Sequence, residues 1–325
     1  MLGVLSCDDV VQPDHIEPLL EIPKGFPVPE FPEDNLFTSE RWQLGKRLFF
    51  DPILSRDGSV SCASCHAPEL GFSDDRALSL GIEGRVGARN APTLANVAFH
   101  PYYTREGGVP TLEMQVLVPI QEHVEFDFNI LQIADRMLSD SSYVQQSRVA
   151  YDRSPDPFVI TRAIACFERS LLSGASRYDK FINGDPDALS VEERQGMVLF
   201  FSERLSCASC HSGFNFTNYS FENNGLYDEY PDPGRFRLTN VESDRALFKV
   251  PTLRNIEVTA PYMHDGALSS LADVIEHYNT GGADHPHKSK LVKPLNLSQK
   301  EKNDLVAFLK SLTDDHFINN PKFKN

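Results

Sequence analysis

Cysteine, tryptophan and long hydrophobic runs are scarce in this 325-residue chain, and each shortage narrows the class of protein. Trp42 is the single tryptophan, and no apolar run reaches the ~18 residues that a membrane-spanning helix requires. Basic residues are also in deficit, because 31 Lys and Arg stand against 46 Asp and Glu, for a net charge of −15. This balance argues against nucleic acid as a partner. The 41% of hydrophobic residues is ordinary for a soluble globular protein.

Four of the six cysteines fall in two copies of Cys-Ala-Ser-Cys-His, at Cys62–His66 and Cys207–His211. Cys-x-x-Cys-His is the attachment motif of c-type haem. Two thiols on one turn reach the two vinyl groups of one porphyrin, and the adjacent His lies under the iron. A zinc site is the alternative, but its four ligands must pack together, and these pairs lie 145 positions apart (207 minus 62). We predict two covalent haems held by Cys62, Cys65, His66, Cys207, Cys210 and His211.

The other two cysteines have different interpretations. Cys166 lies in an apolar helical pattern and is predicted to be a buried free thiol. Cys7 ends Val-Leu-Ser-Cys, which resembles the cleavage box of a bacterial lipoprotein, but only six residues precede it. Either a signal has been trimmed and Cys7 carries a lipid anchor, or the match is chance. The proline-rich, acidic stretch that follows predicts that residues 1–37 form an extended tether or wrapping arm.

The chain repeats itself around the two motifs. The matching segments before the motifs are 45–50 and 196–201, and those after them are 92–97 and 251–256. Each half therefore has the same elements in the same order. We predict a mostly α fold of two tandem class I cytochrome c-like haem domains, at residues 38–150 and 151–325.

The repeat also predicts which residue faces the far side of each iron. In the second half a Ser270…Asp273 capping box opens a helix that carries Tyr278. In the first half the equivalent position is Pro119, which has no ligating atom. The first iron is thus predicted to be open and the second closed, by Tyr278 or by one of its rivals, His277 and Met263.

Gln115, His123 and Glu125 are predicted to lie near the open haem. A carboxylate beside an open ferric haem can move a proton between the peroxide oxygens, as O–O cleavage needs. For Glu125 the residues alone favour a solvated surface acid.

Two Cys-x-x-Cys-His motifs, with Leu-Phe-Phe-Asp upstream, Asn-Ala-Pro-Thr-Leu between them and Ala-Pro-Tyr-Met-His-Asp-Gly downstream, resemble the bacterial di-haem cytochrome c peroxidase family. The MauG-like branch looks nearest, and the similarity runs from about residue 38 to 312. The resemblance implies a periplasmic enzyme that reduces H2O2 to water. It also implies that electrons from a small donor protein, a cytochrome c or a cupredoxin, enter at the C-terminal haem and pass to the N-terminal one. A homodimer is a further assembly to consider.

Carried over by position, the resemblance assigns catalysis to Gln115 and Glu125 and the distal ligand of the second haem to Tyr278. It assigns one Ca²⁺ to the side chain of Asn90 and the carbonyls of Thr259 and Pro261, which are the hard oxygen ligands that calcium prefers.

The chain departs from the family pattern at two positions. Many of these peroxidases close the resting N-terminal haem with a His where this chain has Ile82, so we expect activity without prior reduction. The family's inter-haem Trp is replaced by Arg105, so electrons must take another route, through Tyr102 or Tyr103.

Three functions are therefore weighed. The first is a peroxidase, and the second is a MauG-like oxidase of a partner's aromatic side chain, which Tyr278 favours and Arg105 disfavours. The third is an electron carrier with two closed irons, which Pro119 and Ile82 disfavour.

Overall fold

The computed structural model describes residues 19–325, so the expectations placed on Cys7 and on residues 1–18 lie outside the described residues. Within 19–325 the extended strands amount to one short antiparallel pair, β1 (Phe221–Glu222) and β2 (Phe248–Lys249). The mostly α prediction is confirmed. The α-helices of this part are α1 (Ser39–Phe50), α2 (Leu112–Gln115), α3 (Leu117–Gln121), α4 (Ile130–Leu138), α5 (Ser141–Tyr151), α6 (Pro157–Glu168), α7 (Arg177–Ile182), α8 (Val191–Phe200), α9 (Phe236–Thr239), α10 (Leu271–Thr280), α11 (Gln299–Lys310) and α12 (Asp315–Ile318).

Two helix pairs organise the two halves: α1 crosses α6, and α8 crosses α11. Both crossings are unusually close. A Cβ built on Gly45 would lie 1.9 Å from the carbonyl oxygen of Ala163, and one built on Gly196 would lie 1.9 Å from that of Asp304. Only glycine allows such an approach, because any side chain would collide with the facing backbone. Gly45 and Gly196, which the sequence repeat aligned, are therefore required for the same reason: each lets two helices cross in close contact.

Each crossing is covered by its own apolar core. Around α1 and α6 the buried side chains include Leu44, Leu48, Ile133, Ile160 and Ile164. Around α8 and α11 they include Phe200, Leu271, Ile275, Leu305 and Phe308. Since α6 packs on α1, this helix belongs with the first core, although the predicted second domain begins ahead of it at residue 151.

The internal repeat extends to details of the backbone. Isolated β-bridges join Tyr103 to Val109 and Tyr262 to Leu268, 159 positions apart (262 minus 103). The same interval separates two short 3-10 turns, Val97–Phe99 and Ile256–Val258. Each turn follows an Asn with positive φ, of 60° in the first half and 59° in the second. The two halves therefore share one local design after their motifs.

The described part of the N-terminal arm runs across both halves. Phe26 packs its ring on Phe214 of the second half, at 4.7 Å between centroids, and on Phe99 of the first half, at 6.1 Å. Farther along, the buried side chain of Asn35 donates hydrogen bonds to Glu113 and to the Arg162 carbonyl, each at 3.0 Å. Residues 19–37 thus lie against the body of the protein. No helix within residues 19–325 is long and apolar enough to cross a lipid bilayer.

Candidate haem sites

The first motif is folded as a turn that aims its histidine. Cys62–Ser64 form one 3-10 turn, and the His66 N–H donates back to the Cys62 carbonyl at 3.0 Å. The Nδ1 of His66 donates to the carbonyl of Phe72 at 2.8 Å. A hydrogen bond at Nδ1 sets the tautomer and orientation of a ligating histidine, and it leaves Nε2 for the metal.

The second motif repeats this geometry. The His211 N–H donates to the Cys207 carbonyl at 2.9 Å, and Nδ1 donates to the Phe216 carbonyl at 3.1 Å. Pro92 and Pro251, which are equivalent in the repeat, also place a carbonyl at the ring of His66 and of His211. Burial lowers the pKa of both imidazoles, which favours the neutral form that binds metal.

These residues fit covalent haem. Cys62, Cys65, Cys207 and Cys210 are free thiols, and none of them is fully buried. Among residues 19–325 no group of three or more His, Cys, Asp or Glu side chains is arranged to hold a metal ion. Cys166 is a buried free thiol, as predicted.

Glu125 lies beside the first motif. Its carbonyl accepts a hydrogen bond from the Ile82 N–H at 2.9 Å, and a Cβ on Gly81 would lie 2.6 Å from the same oxygen. The carbonyl oxygen of Leu80, the residue before Gly81, lies 3.9 Å from the Cys65 sulfur. The close packing of residues 80–82 therefore places Glu125 next to the haem-binding thiols. Burial is the main cause of the raised pKa of Cys62 and Cys65, and the charge of Glu125 adds to it.

The carboxyl group of Glu125 has a perturbed pKa. Burial of the carboxyl, with a smaller contribution from the charge of Glu122, raises this pKa to about 7. The residue as a whole is exposed, so the burial that raises this pKa is that of the carboxyl end of the side chain. A group with a pKa near 7 can both accept and return a proton at neutral pH.

Gln115 contributes an unpaired amide oxygen. Its Oε1 is buried and has no hydrogen-bond partner among the described residues. Leaving a buried polar atom unpaired costs about 1–3 kcal/mol, so such an atom in a folded protein indicates a missing partner such as water or a ligand. His123 lies at the surface against Arg85 and Asp127.

The helix beyond Gln115 is broken in the first half and continuous in the second. Pro119 has no N–H to bond the carbonyl four residues earlier, and α2 ends at Gln115 before α3 begins at Leu117. The equivalent α10 runs unbroken for ten residues from the Ser270 cap and carries Tyr278 in its last turn. Ile82, at the position of the absent closing His, is completely buried.

Tyr278 lies beside the second motif. Burial raises the pKa of its phenol to about 12, and the charges of Cys207 and Cys210 also raise it. Asn224 hydrogen-bonds the hydroxyl and lowers this pKa.

The two rivals of Tyr278 already have partners on the same asparagine. The Met263 sulfur accepts a hydrogen bond from Asn224 Nδ2 at 3.1 Å, and His277 Nε2 donates to the Asn224 carbonyl at 3.0 Å. Sequence analysis did not single out Asn224, because no local pattern shows that its side chain gathers these groups.

A buried charged cluster beside the first motif was also missed. Arg169 makes two hydrogen bonds to Glu113, at 2.5 and 3.0 Å, with both side chains nearly inaccessible. Burial raises the pKa of the adjacent Glu168 to about 8, although Arg169 acts in the opposite direction. The charge of Glu168 also raises the pKa of the Cys62 thiol. The sequence signal that could have revealed this cluster is the Glu168-Arg169 pair at the end of the apolar helix α6.

With this geometry in view, comparison with known proteins decides the family. A family model described as di-haem cytochrome c peroxidase matches residues 39–187. The chain is 38% identical over 285 residues to the methylamine utilization protein MauG of Methylorubrum extorquens, a match that covers 86% of this chain and 80% of that protein. The chain belongs to the di-haem cytochrome c peroxidase family. Membership in this family implies two c-type haems.

Other relatives of this di-haem peroxidase agree. It is 35% identical over 294 residues to cytochrome c551 peroxidase of Nitrosomonas europaea, covering 87% of this chain and 81% of that protein. A solved structure of a MauG-like protein associated with microbial copper homeostasis superposes with a TM-score of 0.88 at 35% identity. That match covers 93% of this chain and 97% of the other.

The oxygens expected to bind calcium in this di-haem peroxidase fit only in part. The carbonyls of Thr259 and Pro261 accept no hydrogen bond from residues 19–325. The side-chain oxygen of Asn90, however, accepts one from Arg105 at 3.1 Å. Two oxygens are available and the third faces a cationic side chain, so the calcium ion stays a prediction.

Aromatic rings connect the two halves where the family tryptophan is missing. His100 stacks on Tyr103 at 6.3 Å and meets Tyr219 edge-on at 5.2 Å. Tyr219 lies close to the second motif, because the N–H of the preceding residue, Asn218, donates to the Cys210 carbonyl at 2.8 Å. Trp42 lies elsewhere, in the core under α6, with its Nε1 donating to Ser170.

Proposed function

We propose that this protein reduces H2O2 to water at its first haem, with electrons from a small redox protein that enter at the second haem. The observation that carries the proposal is the difference between the two distal sides. Glu125, with its pKa near 7, lies beside the first motif, where Pro119 and Ile82 offer no ligand. The position of Tyr278 beside the second motif supports its assignment as the ligand that closes the second iron.

The proposed proton transfers use this chain's own residues. The reaction is H2O2 + 2 e⁻ + 2 H⁺ → 2 H2O. When bound, the first haem would supply the iron that binds the peroxide and delivers the two electrons. The Glu125 carboxylate accepts a proton from one peroxide oxygen and returns it to the other, which leaves as water. The amide of Gln115 orients the peroxide, which supplies the partner that its buried oxygen lacks.

We propose that electrons cross between the halves through Tyr103, His100 and Tyr219. The ring centroids of Tyr103 and His100 are 6.3 Å apart, and those of His100 and Tyr219 are 5.2 Å apart. Tyr103 also lies near the buried charged cluster of Glu113, Glu168 and Arg169 beside the first motif. Tyr102, the other residue considered for this route, stacks its ring instead on Phe221, at 5.1 Å between centroids, and meets Tyr219 only through a hydrogen bond to its carbonyl. The donor is expected to be a cytochrome c or a cupredoxin.

A MauG-like oxidation of a partner's aromatic side chain is the second candidate. The 38% identity to MauG and the position of Tyr278 favour it. Arg105 at the inter-haem position disfavours it, because a guanidinium does not transfer an electron as an indole does. The third candidate, a carrier without catalysis, requires a second ligand at both irons.

We further propose a periplasmic location, as the family resemblance implies, and two tandem cytochrome c-like domains. The packing of α6 on α1 supports a domain boundary after Glu168 rather than at residue 150. Cell fractionation, and limited proteolysis of the holoprotein with mapping of the first cut, test these two points.

The deciding experiment is the low-temperature EPR and optical spectrum of the resting diferric protein, before and after one equivalent of H2O2. We expect one high-spin and one low-spin haem and a fast reaction without prior reduction. Two low-spin signals and no reaction would overturn the peroxidase. Steady-state assays with cytochrome c and cupredoxin donors, compared with mass spectrometry of candidate protein substrates, separate the first function from the second.

A further inference from the structure

Arg105 is bound to Asn90 by three hydrogen bonds. Its Nη2 donates to the Asn90 carbonyl at 2.7 Å and to the side-chain Oδ1 at 3.1 Å, and its Nε donates to the same carbonyl at 3.2 Å. The Nδ2 of Asn90 donates to the Arg76 carbonyl at 3.0 Å. That bond orients the amide so that its oxygen points to the guanidinium.

This contact lies where the two halves meet. The Asn90 N–H donates to the carbonyl of His264 at 2.9 Å, so Asn90 is tied to the second half by its backbone and to Arg105 by its oxygens. Arg105 and His264 occupy equivalent places in the repeat. The segment that ends at His264 also carries Thr259 and Pro261, whose carbonyls point to no donor among residues 19–325.

The charge of Arg105 is not neutralised by a carboxylate in contact. No described carboxylate lies within ion-pair distance of its guanidinium, whereas the neighbouring Arg89 pairs with both Glu106 and Asp232. Burial and the charge of Arg89 lower the pKa of Arg105 to about 10, against the opposing charges of Asp265, Glu106 and Asp232, so the group stays cationic at neutral pH. A full positive charge therefore faces neutral amide and carbonyl oxygens.

A metal ion at this place would have to share its oxygens with the guanidinium. Ca²⁺ takes six to eight oxygen ligands, and the Asn90 side-chain oxygen is already bonded to Arg105. A guanidinium bonded to one of those oxygens repels a divalent ion at the same place and removes one of its ligands.

We propose that Arg105 replaces the inter-haem calcium ion: its guanidinium binds the oxygens of Asn90, whose backbone N–H is bonded to His264 of the second half, and so holds this junction without metal. The inference concerns the junction of the halves and does not depend on the peroxidase reaction. The native protein is accordingly independent of calcium, and calcium binding is suppressed by the presence of the side chain.

The test uses the full-length diferric holoprotein and the variants Arg105→Met, Arg105→Lys and Arg237→Met. The last is the control, since it removes a neighbouring positive charge that contacts Glu106 and not Asn90. Calcium content per chain is measured by inductively coupled plasma mass spectrometry. The optical spectrum and the thermal unfolding midpoint are recorded in EGTA and at increasing concentrations of CaCl2.

We expect native protein, Arg105→Lys and the control to hold substoichiometric calcium and to unfold at the same temperature in EGTA and in calcium. Arg105→Met is expected to unfold earlier in EGTA and to have a midpoint that rises with calcium concentration, as a ligand bound only by the folded state requires. One tightly held calcium per native chain overturns the proposal, and so does an Arg105→Met protein that calcium does not stabilise. If Arg105→Met fails to fold, the calcium content of native protein and of Arg105→Lys decides.

Discussion

The backbone N–H of Ile82 donates to the carbonyl of Glu125 at 2.9 Å, which ties the proposed catalytic acid to the position where a closing histidine is absent. Both residues therefore occupy the same side of the first motif. The proposed turnover of peroxide needs both an iron left open and a carboxyl that moves protons, and one short loop contact positions Ile82 and Glu125 together.

Replacing Glu125 with Gln is expected to lower kcat for peroxide reduction by roughly 10²–10⁴-fold, the usual contribution of a positioned general acid–base. The resting optical spectrum should not change, because the residue is not assigned to the iron. Stopped-flow and steady-state assays measure the effect. Glu122→Gln is the control for loss of a nearby carboxylate, and an unaltered rate in Glu125→Gln would refute the assignment.

The pH dependence should report the raised pKa of Glu125. Because the deprotonated carboxylate accepts the proton, kcat/KM is expected to rise as pH increases through about 7. Glu122→Gln removes a like charge and should move this limb to lower pH, although burial keeps it above the ordinary value. Rate profiles between pH 5 and 9 test this, and a limb that does not move would exclude the influence of Glu122.

The second haem should respond to Tyr278 and Asn224 in opposite directions. Tyr278→Met is expected to raise its reduction potential by on the order of 0.1 V or more, since a phenolate stabilises ferric iron and a thioether does not. Asn224→Ala removes a hydrogen bond to the hydroxyl, strengthens the donor oxygen and should lower the potential. Spectroelectrochemical titration measures both.

Asn303→Ala, at an exposed position of α11, is the control for the potentials. Equal potentials in native protein and Tyr278→Met would show that another residue closes the second iron.

The two helix crossings should not tolerate a methyl group. Gly45→Ala and Gly196→Ala each place a Cβ 1.9 Å from a facing carbonyl oxygen, so the helices must separate. We expect a loss of about 1–3 kcal/mol in unfolding free energy, the typical cost of overpacking. Gly87→Ala is the matched control, because its nearest atom would be 3.4 Å away. Denaturant unfolding of holoprotein decides, and stabilities equal to the control would contradict the crossing geometry.

Tyr103→Phe and Tyr219→Phe are expected to slow electron transfer between the haems, because phenylalanine is far harder to oxidise than tyrosine and the ring spacing is otherwise kept. Rapid mixing of reduced protein with H2O2, followed at the second haem, gives the rate. Tyr178→Phe, in the second core and off this path, is the control. Rates that match the control in both variants would point to another route.

The residue pattern alone was sufficient for the helical class, the two motifs and the repeat. These features are local, because a haem motif is five consecutive residues and a helix depends on its own periodicity and caps. The capping box at Ser270 and the aligned glycines Gly45 and Gly196 were readable for the same reason. The assignment of Glu125 needed the family resemblance, since spacing by itself favoured a surface acid.

Tertiary structure decided what depends on contacts between distant segments. Asn224 gathers Met263, His277 and Tyr278 from residues 39 to 54 positions away (263 and 278 minus 224), and no periodicity in the sequence encodes such a meeting. The packing of α6 with the first core and the bond from Arg105 to Asn90 are of the same kind. Sequence thus determined which chemical groups are present and their local turns. Folding determined which of them share a buried, weakly screened space, and there a pKa near 7 or an unneutralised guanidinium acquires its effect.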